Sequence, residues 1–154
     1  MSNFIERIDT MNANWVNELH IGVSATTADP PVWTYAKLCK GIESMEFNEN
    51  EQNQQYFFMC GEGFANNEVT GAAPELVVSG RRIAGDAAQD FIAGLQFQVG
   101  SERKTSVKII AEGQQIICDA TIGGISTFGG ATLDVNAFGC TIRFNGKPTV
   151  TPVT

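Results

Sequence analysis

Polar and apolar positions change rhythm twice along the chain. Residues 75–83 form a run rich in β-branched side chains and predict a strand. After Gly85-Asp86 the apolar positions move to spacings of three and four, at Ala87, Ala88, Phe91, Ile92 and Leu95. That spacing predicts one helix over 86–96, with Asp86 as its N-cap and Asp90 in the first turns, where negative charge is favoured. Four strand candidates follow, at 105–111, 115–123, 130–136 and 138–145. Glu112-Gly113-Gln114, Gly123-Gly124, Gly129-Gly130 and Asn145-Gly146-Lys147-Pro148 punctuate them as turns. Short strands joined by glycine turns at about ten-residue intervals point to an antiparallel sandwich or barrel.

The first half is less regular. Residues 2–19 place Phe4, Ile5, Ile8, Met11, Trp15 and Leu19 at helix-like spacing broken by asparagines, which reads as an amphipathic arm. A short strand is expected at 20–25, and Ala-Asp-Pro-Pro at 28–31 ends it. Residues 32–38 have strand chemistry, and Ile42, Met45 and Phe47 lead into a polar stretch at 46–55, read as a loop or hairpin tip. A short apolar strand at 55–60 and a second polar loop at 61–71 complete a polar region over 46–71. The tail, 149–154, is a last strand or an arm. The expected fold is mainly β, two packed antiparallel sheets in a sandwich or barrel with one flanking helix. No repeat or linker divides it, so residues 1–154 are expected to form one domain.

Composition narrows the function classes. The 154 residues carry 10 Lys+Arg and 17 Asp+Glu, a net charge of −7. Such a chain lacks the cationic surface that neutralises phosphates in free-standing nucleic-acid binding. The imbalance sits in the first half: residues 1–77 hold 11 acids and 3 bases, residues 78–154 hold 6 acids and 7 bases. No apolar stretch approaches the roughly 20 residues of a membrane span, and no membrane partner is expected. Residues 1–10 contain no apolar run of the signal-peptide kind, so Cys39, Cys60, Cys118 and Cys140 are expected as reduced thiols.

Catalytic patterns are sparse. The cysteines form no pair at metal-ligand spacing, so neither a metal site nor a cofactor is expected. Gly146-Lys147-Pro148 has proline where a phosphate loop needs a hydroxyl, and Gly61-Glu62-Gly63 lacks the third glycine of a dinucleotide turn. A nucleophile–base mechanism would depend on His20, the only imidazole. Glu43, Glu46, Glu49 and Glu51 cluster, at irregular spacings that suit a solvated hairpin rim rather than an acid–base pair. Trp15, Trp33 and Tyr35 are the candidates for a sugar-stacking platform. With no catalytic constellation, a structural role outweighs an enzymatic one.

Three segments then carry a resemblance. They are 33–45, running from Trp33 through Lys40-Gly41-Ile42 to Met45; 79–92, with Gly85-Asp86-Ala87-Ala88-Gln89 leading to Ile92; and the glycine-punctuated end from Ala120-Thr121-Ile122-Gly123-Gly124 to Phe144-Asn145-Gly146-Lys147. Over about 32–147 the chain resembles the major tail tube proteins of long-tailed bacteriophages, with type VI secretion tubes as distant relatives. The resemblance implies a non-enzymatic virion protein, made in the host cytoplasm, whose homohexameric rings stack head to tail around a DNA channel. It also implies tape-measure and terminator or initiator proteins as partners, and DNA that passes without specific binding. Asp86, Gln89, Phe91 and Ile92 would dock the helix on the β-core. An acidic lumen suits passing DNA, because like charge repels phosphates. The polar stretches at 46–55 and 61–71 are long enough to reach another ring, and opposite charge in the two halves suits heterologous stacking. A tube from a phage-tail-like bacteriocin or secretion system, and a carbohydrate-binding sandwich, are the alternatives.

Overall fold

The structure, a computed structural model, describes residues 13–153. Most of the arm expected at 2–19 therefore lies outside the described residues; its end forms a 3-10 turn, Asn14–Val16, and enters the first strand. The strands are β1 Glu18–Ala25, β2 Trp33–Lys37, β3 Ile42–Asn48, β4 Gln52–Phe57, β5 Ala65–Gly71 and β6 Glu75–Arg81. Helix α1, Ala87–Gly94, and a 3-10 turn, Gly100–Arg103, precede β7 Lys104–Ala111, β8 Gln114–Ser126 and β9 Ala137–Pro152. The fold is mainly β, with two antiparallel sheets and one helix.

The two sheets are unequal. Seven strands run in the order β2-β1-β7-β8-β9-β6-β3, and β4-β5 form the second sheet alone. Edge strands β2 and β3 are consecutive in the chain, joined only by residues 38–41. Five residue steps span at most about 17 Å. The large sheet must therefore curl until its edges nearly meet, giving an open barrel. Its inner face follows the two-residue strand period: Leu76 and Val78 on β6, Val107 and Ile109 on β7, Cys118, Ala120 and Ile122 on β8, and Phe138, Cys140, Ile142 and Phe144 on β9 are buried. Each fully buried Val, Leu, Ile or Phe contributes roughly 1.5–3 kcal/mol. The edges approach closely at two glycines: a Cβ on Gly80 would collide with the Gly41 carbonyl oxygen.

Helix α1 packs against this curled sheet through Ala88 and Ile92, both fully buried. The Asp86 carboxylate accepts from the Gln89 N–H at 3.2 Å and caps the helix. Arg82 donates to Asp90 at 2.8 Å, and the Gly85 N–H donates to the same oxygen at 3.2 Å. Both bonds stabilise the ionised form, the arginine the more, and hold the Asp90 carboxyl below its ordinary range.

Five sequence expectations need correction. The second polar loop, 61–71, contains strand β5, and the apolar run 55–60 is the end of β4 plus a 3-10 turn, Met59–Gly61. Residues 130–136 are not a strand. Asp134 folds back on Ala131, donating to its carbonyl at 2.9 Å and accepting from its N–H at 3.1 Å. The turn expected at 145–148 lies inside β9, which runs on to Pro152. Likewise β8 continues through Gly123-Gly124. Gly124 and Gly146 have φ of +58° and +84° and sit where the β8–β9 register shifts. A left-handed glycine serves a bulge as readily as a turn. Residues 149–152 of the expected C-terminal arm thus pair with the start of β8.

Candidate functional site

Chemistry accounts for little of the described surface. Among the described residues no three His, Cys, Asp or Glu side chains gather as a metal site. No described helix is long and apolar enough to cross a membrane. His20 is partly buried on β1, 3.2 Å from its neighbour Glu18, and touches no nucleophile. The aromatic trio is separated. Tyr35 bonds Ser106 through its hydroxyl at 3.0 Å and carries the Lys108 ammonium 4.8 Å above its ring. Trp33 lines a groove with Pro31 and Lys104, whereas Trp15, 85% exposed, lines another with Leu38 and Met45. No shared stacking platform results.

The feature that stands out is the β4–β5 hairpin. All six residues of β4 are exposed, as are all of β5 but Gly71. The sequence reason is its composition: Gln, Asn and Glu flank a short aromatic run, so neither face can enter a core. Its tip carries Tyr56, Phe57, Phe58, Met59 and Phe64, and Met59 is fully exposed. Tyr56 and Phe58 stack at 6.0 Å between ring centroids. With seven residues in the longer strand, the arm projects roughly 20 Å at about 3.3 Å per residue. An isolated two-stranded hairpin is marginally stable at best in water, and five large apolar groups at its end are costly to leave wet. This is the geometry of a contact that another molecule completes. In sequence the run 55–60 reads as a short apolar strand; the amide-rich tracts on both sides are the signal that distinguishes an arm from a core strand.

The four glutamates do not gather in one place: Glu49 and Glu51 lie at the root of this arm, Glu46 lies further along β3, and Glu43 lies near the other end of that strand. Glu43 and Glu46 are exposed on β3, and Glu43 sits 3.6 Å from the Arg81 guanidinium. An exposed pair of this kind is worth at most about 1 kcal/mol. Glu49 and Glu51 occupy the β3–β4 connection, where the Glu49 carboxyl hydrogen-bonds and repels its neighbour and pushes the Glu51 carboxyl up. The connection is closed by backbone and amide bonds: Ala73 N–H to Glu49 O at 2.9 Å, and Asn50 Nδ2 to Ala73 O at 3.0 Å.

The helix residues gather elsewhere, where the edges of the large sheet meet. Gln89 is fully buried and uses all of its amide. Its oxygen accepts from the Ile83 N–H at 2.7 Å and from Arg82 at 3.3 Å. Its nitrogen donates to Lys40 O at 2.7 Å and Arg81 O at 3.1 Å. One side chain thus ties α1 to the β2–β3 link and to the end of β6. Ile92 is fully buried beside it and Phe91 half-buried.

No family model matches the chain, and no curated protein sequence matches it. Solved structures do. A chain of the tail of an empty gene transfer agent particle, refined with C6 symmetry, superposes with a TM-score of 0.65 at 11% identity, over 92% of this chain and 99% of that one. A chain of the native gene transfer agent virion gives 0.63, also at 11% identity and with the same coverage. A chain of an extracellular contractile injection system, from a sheath–tube complex in the extended state, gives 0.55 at 10% identity and covers 99% of both. The chain has, over nearly its whole length, the fold found in these tail and injection assemblies.

Proposed function

We propose that this protein is the tube subunit of a phage-like tail, a structural virion component without enzymatic activity. Six copies form a ring, rings stack head to tail, and the stack encloses a channel through which DNA passes into the host. The observation that carries this reading is the whole-chain likeness to a tail chain of C6 symmetry. Two features of the chain support it. The β4–β5 arm is unsatisfied in the single subunit and so fits a protein completed by its own copies. The net charge of −7 suits a lumen that must not retain DNA. Glu49 and Glu51 at the arm's root, with Glu43 and Glu46 along β3, belong to the subunit or ring interface. A tape-measure protein and terminator or initiator proteins would set the length and ends of the stack.

A second reading places the same subunit in a contractile injection system or tailocin, where the channel carries other cargo. The likeness to the sheath–tube chain favours it to the extent of the fold. Sedimentation of the concentrated full chain tests self-assembly, which both readings share. Polymers far heavier than a hexamer are expected at low salt. A subunit-sized species at every salt and concentration would contradict both.

A further inference from the structure

The arm needs a receiving surface, and charge selects one. We propose that the aromatic tip of the β4–β5 arm of one copy seats in the groove between residues 98–101 and residues 121–123 of β8 on a neighbouring copy, with Glu62 and Glu68 facing Arg103 and Lys104. The proposal rests on the tube reading and names the contact within it.

The arm, 52–71, carries Glu62 and Glu68 and no Lys or Arg. Charge sorts three of the grooves on the described surface. The one beside Trp15 and Leu38 has Glu43 in its lining and no cation, so it repels an acidic arm. The one beside Trp33 sets Asp119 against Lys104. The third, of about 490 Å³, has Arg103 and Lys104 in its lining and no carboxylate, with Val99 supplying apolar surface and Gly123 bare backbone. Among the described residues neither cation is held in an ion pair.

The groove is also built in advance. Arg103 donates to Gln98 O at 2.9 Å and to Ile122 O at 3.3 Å, tying both walls together. Such preorganisation lowers the ordering cost of binding. At its lip Phe97 is 86% exposed and Val99 82% exposed. Phe97 has φ of +72°, a left-handed conformation that a bulky residue adopts at a cost of roughly 1–3 kcal/mol. A strained, exposed aromatic at the edge of a cationic groove is accounted for when an aromatic tip covers it. The four aromatic side chains are 42–77% exposed, so each has roughly half or more of the about 150–250 Å² that an aromatic can bury left to contribute to the roughly 800 Å² per partner typical of a specific interface. Tip and groove are different surfaces of one subunit, so the contact is heterologous and propagates instead of closing as a dimer.

The protein's thiols give the test. Cys60 sits at the tip and Cys39 in the Trp15 groove; both are exposed, whereas Cys118 and Cys140 are buried. The full chain carrying Cys39→Ser and Ser101→Cys is treated with a short bismaleimide under conditions where electron micrographs show polymer. A ladder of covalent oligomers on a denaturing gel is expected, because each subunit then offers one tip thiol and one groove thiol. Cys39→Ser alone is expected to give no ladder. Adding Lys104→Glu to the double-cysteine protein is expected to abolish the ladder, and Glu68→Lys in that background to restore it. A ladder from the unmodified chain through Cys39 and Cys60, with none through position 101, overturns the proposal and leaves the tube reading standing. Polymer with no ladder in either protein also overturns it. Absence of polymer altogether overturns the tube reading and the docking with it.

Discussion

Gln89 offers the sharpest test of how the helix is held. Replacing it with Met keeps the volume and removes every polar atom. Lys40 O, Arg81 O and the Ile83 N–H then lose the bonds now made at 2.7, 3.1 and 2.7 Å. A buried group stripped of its partner costs about 1–3 kcal/mol. All three belong to residues with exposed side chains, so water reaches part of the way, and the low end applies to each. The sum is about 3 kcal/mol. For a domain of this size, 1 kcal/mol moves Tm by roughly 2–4 °C, so a fall of about 6–12 °C is expected. Thermal unfolding followed by circular dichroism measures it, with Gln54→Met on exposed β4 as a control expected to stay within about 0.5 kcal/mol of the unaltered chain. A Gln89→Met protein melting with the unaltered chain would refute the reasoning, since it would mean that the amide contributes nothing the thioether cannot.

The other predictions concern the same region and the thiols. Ile92→Ala empties a fully buried site and is expected to cost about 2–5 kcal/mol by urea unfolding, with Phe91→Ala costing less because that ring is half-buried. Asp90 ionises more readily in the folded chain, through Arg82 first and the Gly85 N–H second. Its stabilising contribution is present above the unfolded aspartate pKa of about 3.9 and lost as pH falls through the lower folded value. Asp90→Asn is therefore expected to flatten the pH dependence of stability below about pH 4, and an unchanged acid limb would contradict this. A thiol-counting reagent at pH 8 is expected to titrate Cys39 and Cys60 in the folded protein. The remaining pair should react only on unfolding, because burial shields both and pushes the Cys140 thiol up to about 12.

The elements legible in the sequence are those whose pattern and environment agree. Residues 87, 88, 91, 92 and 95 repeat at helical spacing, and Asp86 caps α1 as its position suggests. Strand β6 alternates about one buried face. What escaped was decided by partners far away in the chain. Gln89 is expected from sequence to dock the helix, but its bonding is not legible there: Lys40 O, 49 residues away, completes its amide and lets this polar side chain be fully buried. Gly124 and Gly146 punctuate the sequence like turns and instead form bulges that let β8 and β9 run on as long partners. Tyr56-Phe57-Phe58-Met59 has the composition of a core strand and is an exposed tip, because the tracts around it leave nothing for it to pack against. The cationic groove draws Arg103 and Lys104 together with β8 residues some 20 positions on, a meeting that only the β7–β8 register brings about.

Electron cryomicroscopy of the concentrated full chain tests the central claim most directly. Hollow tubes are expected, built of stacked rings with six subunits each and a central channel wide enough for a DNA duplex. Solid fibres, rings of another symmetry, or dispersed subunits under all salt conditions would contradict it.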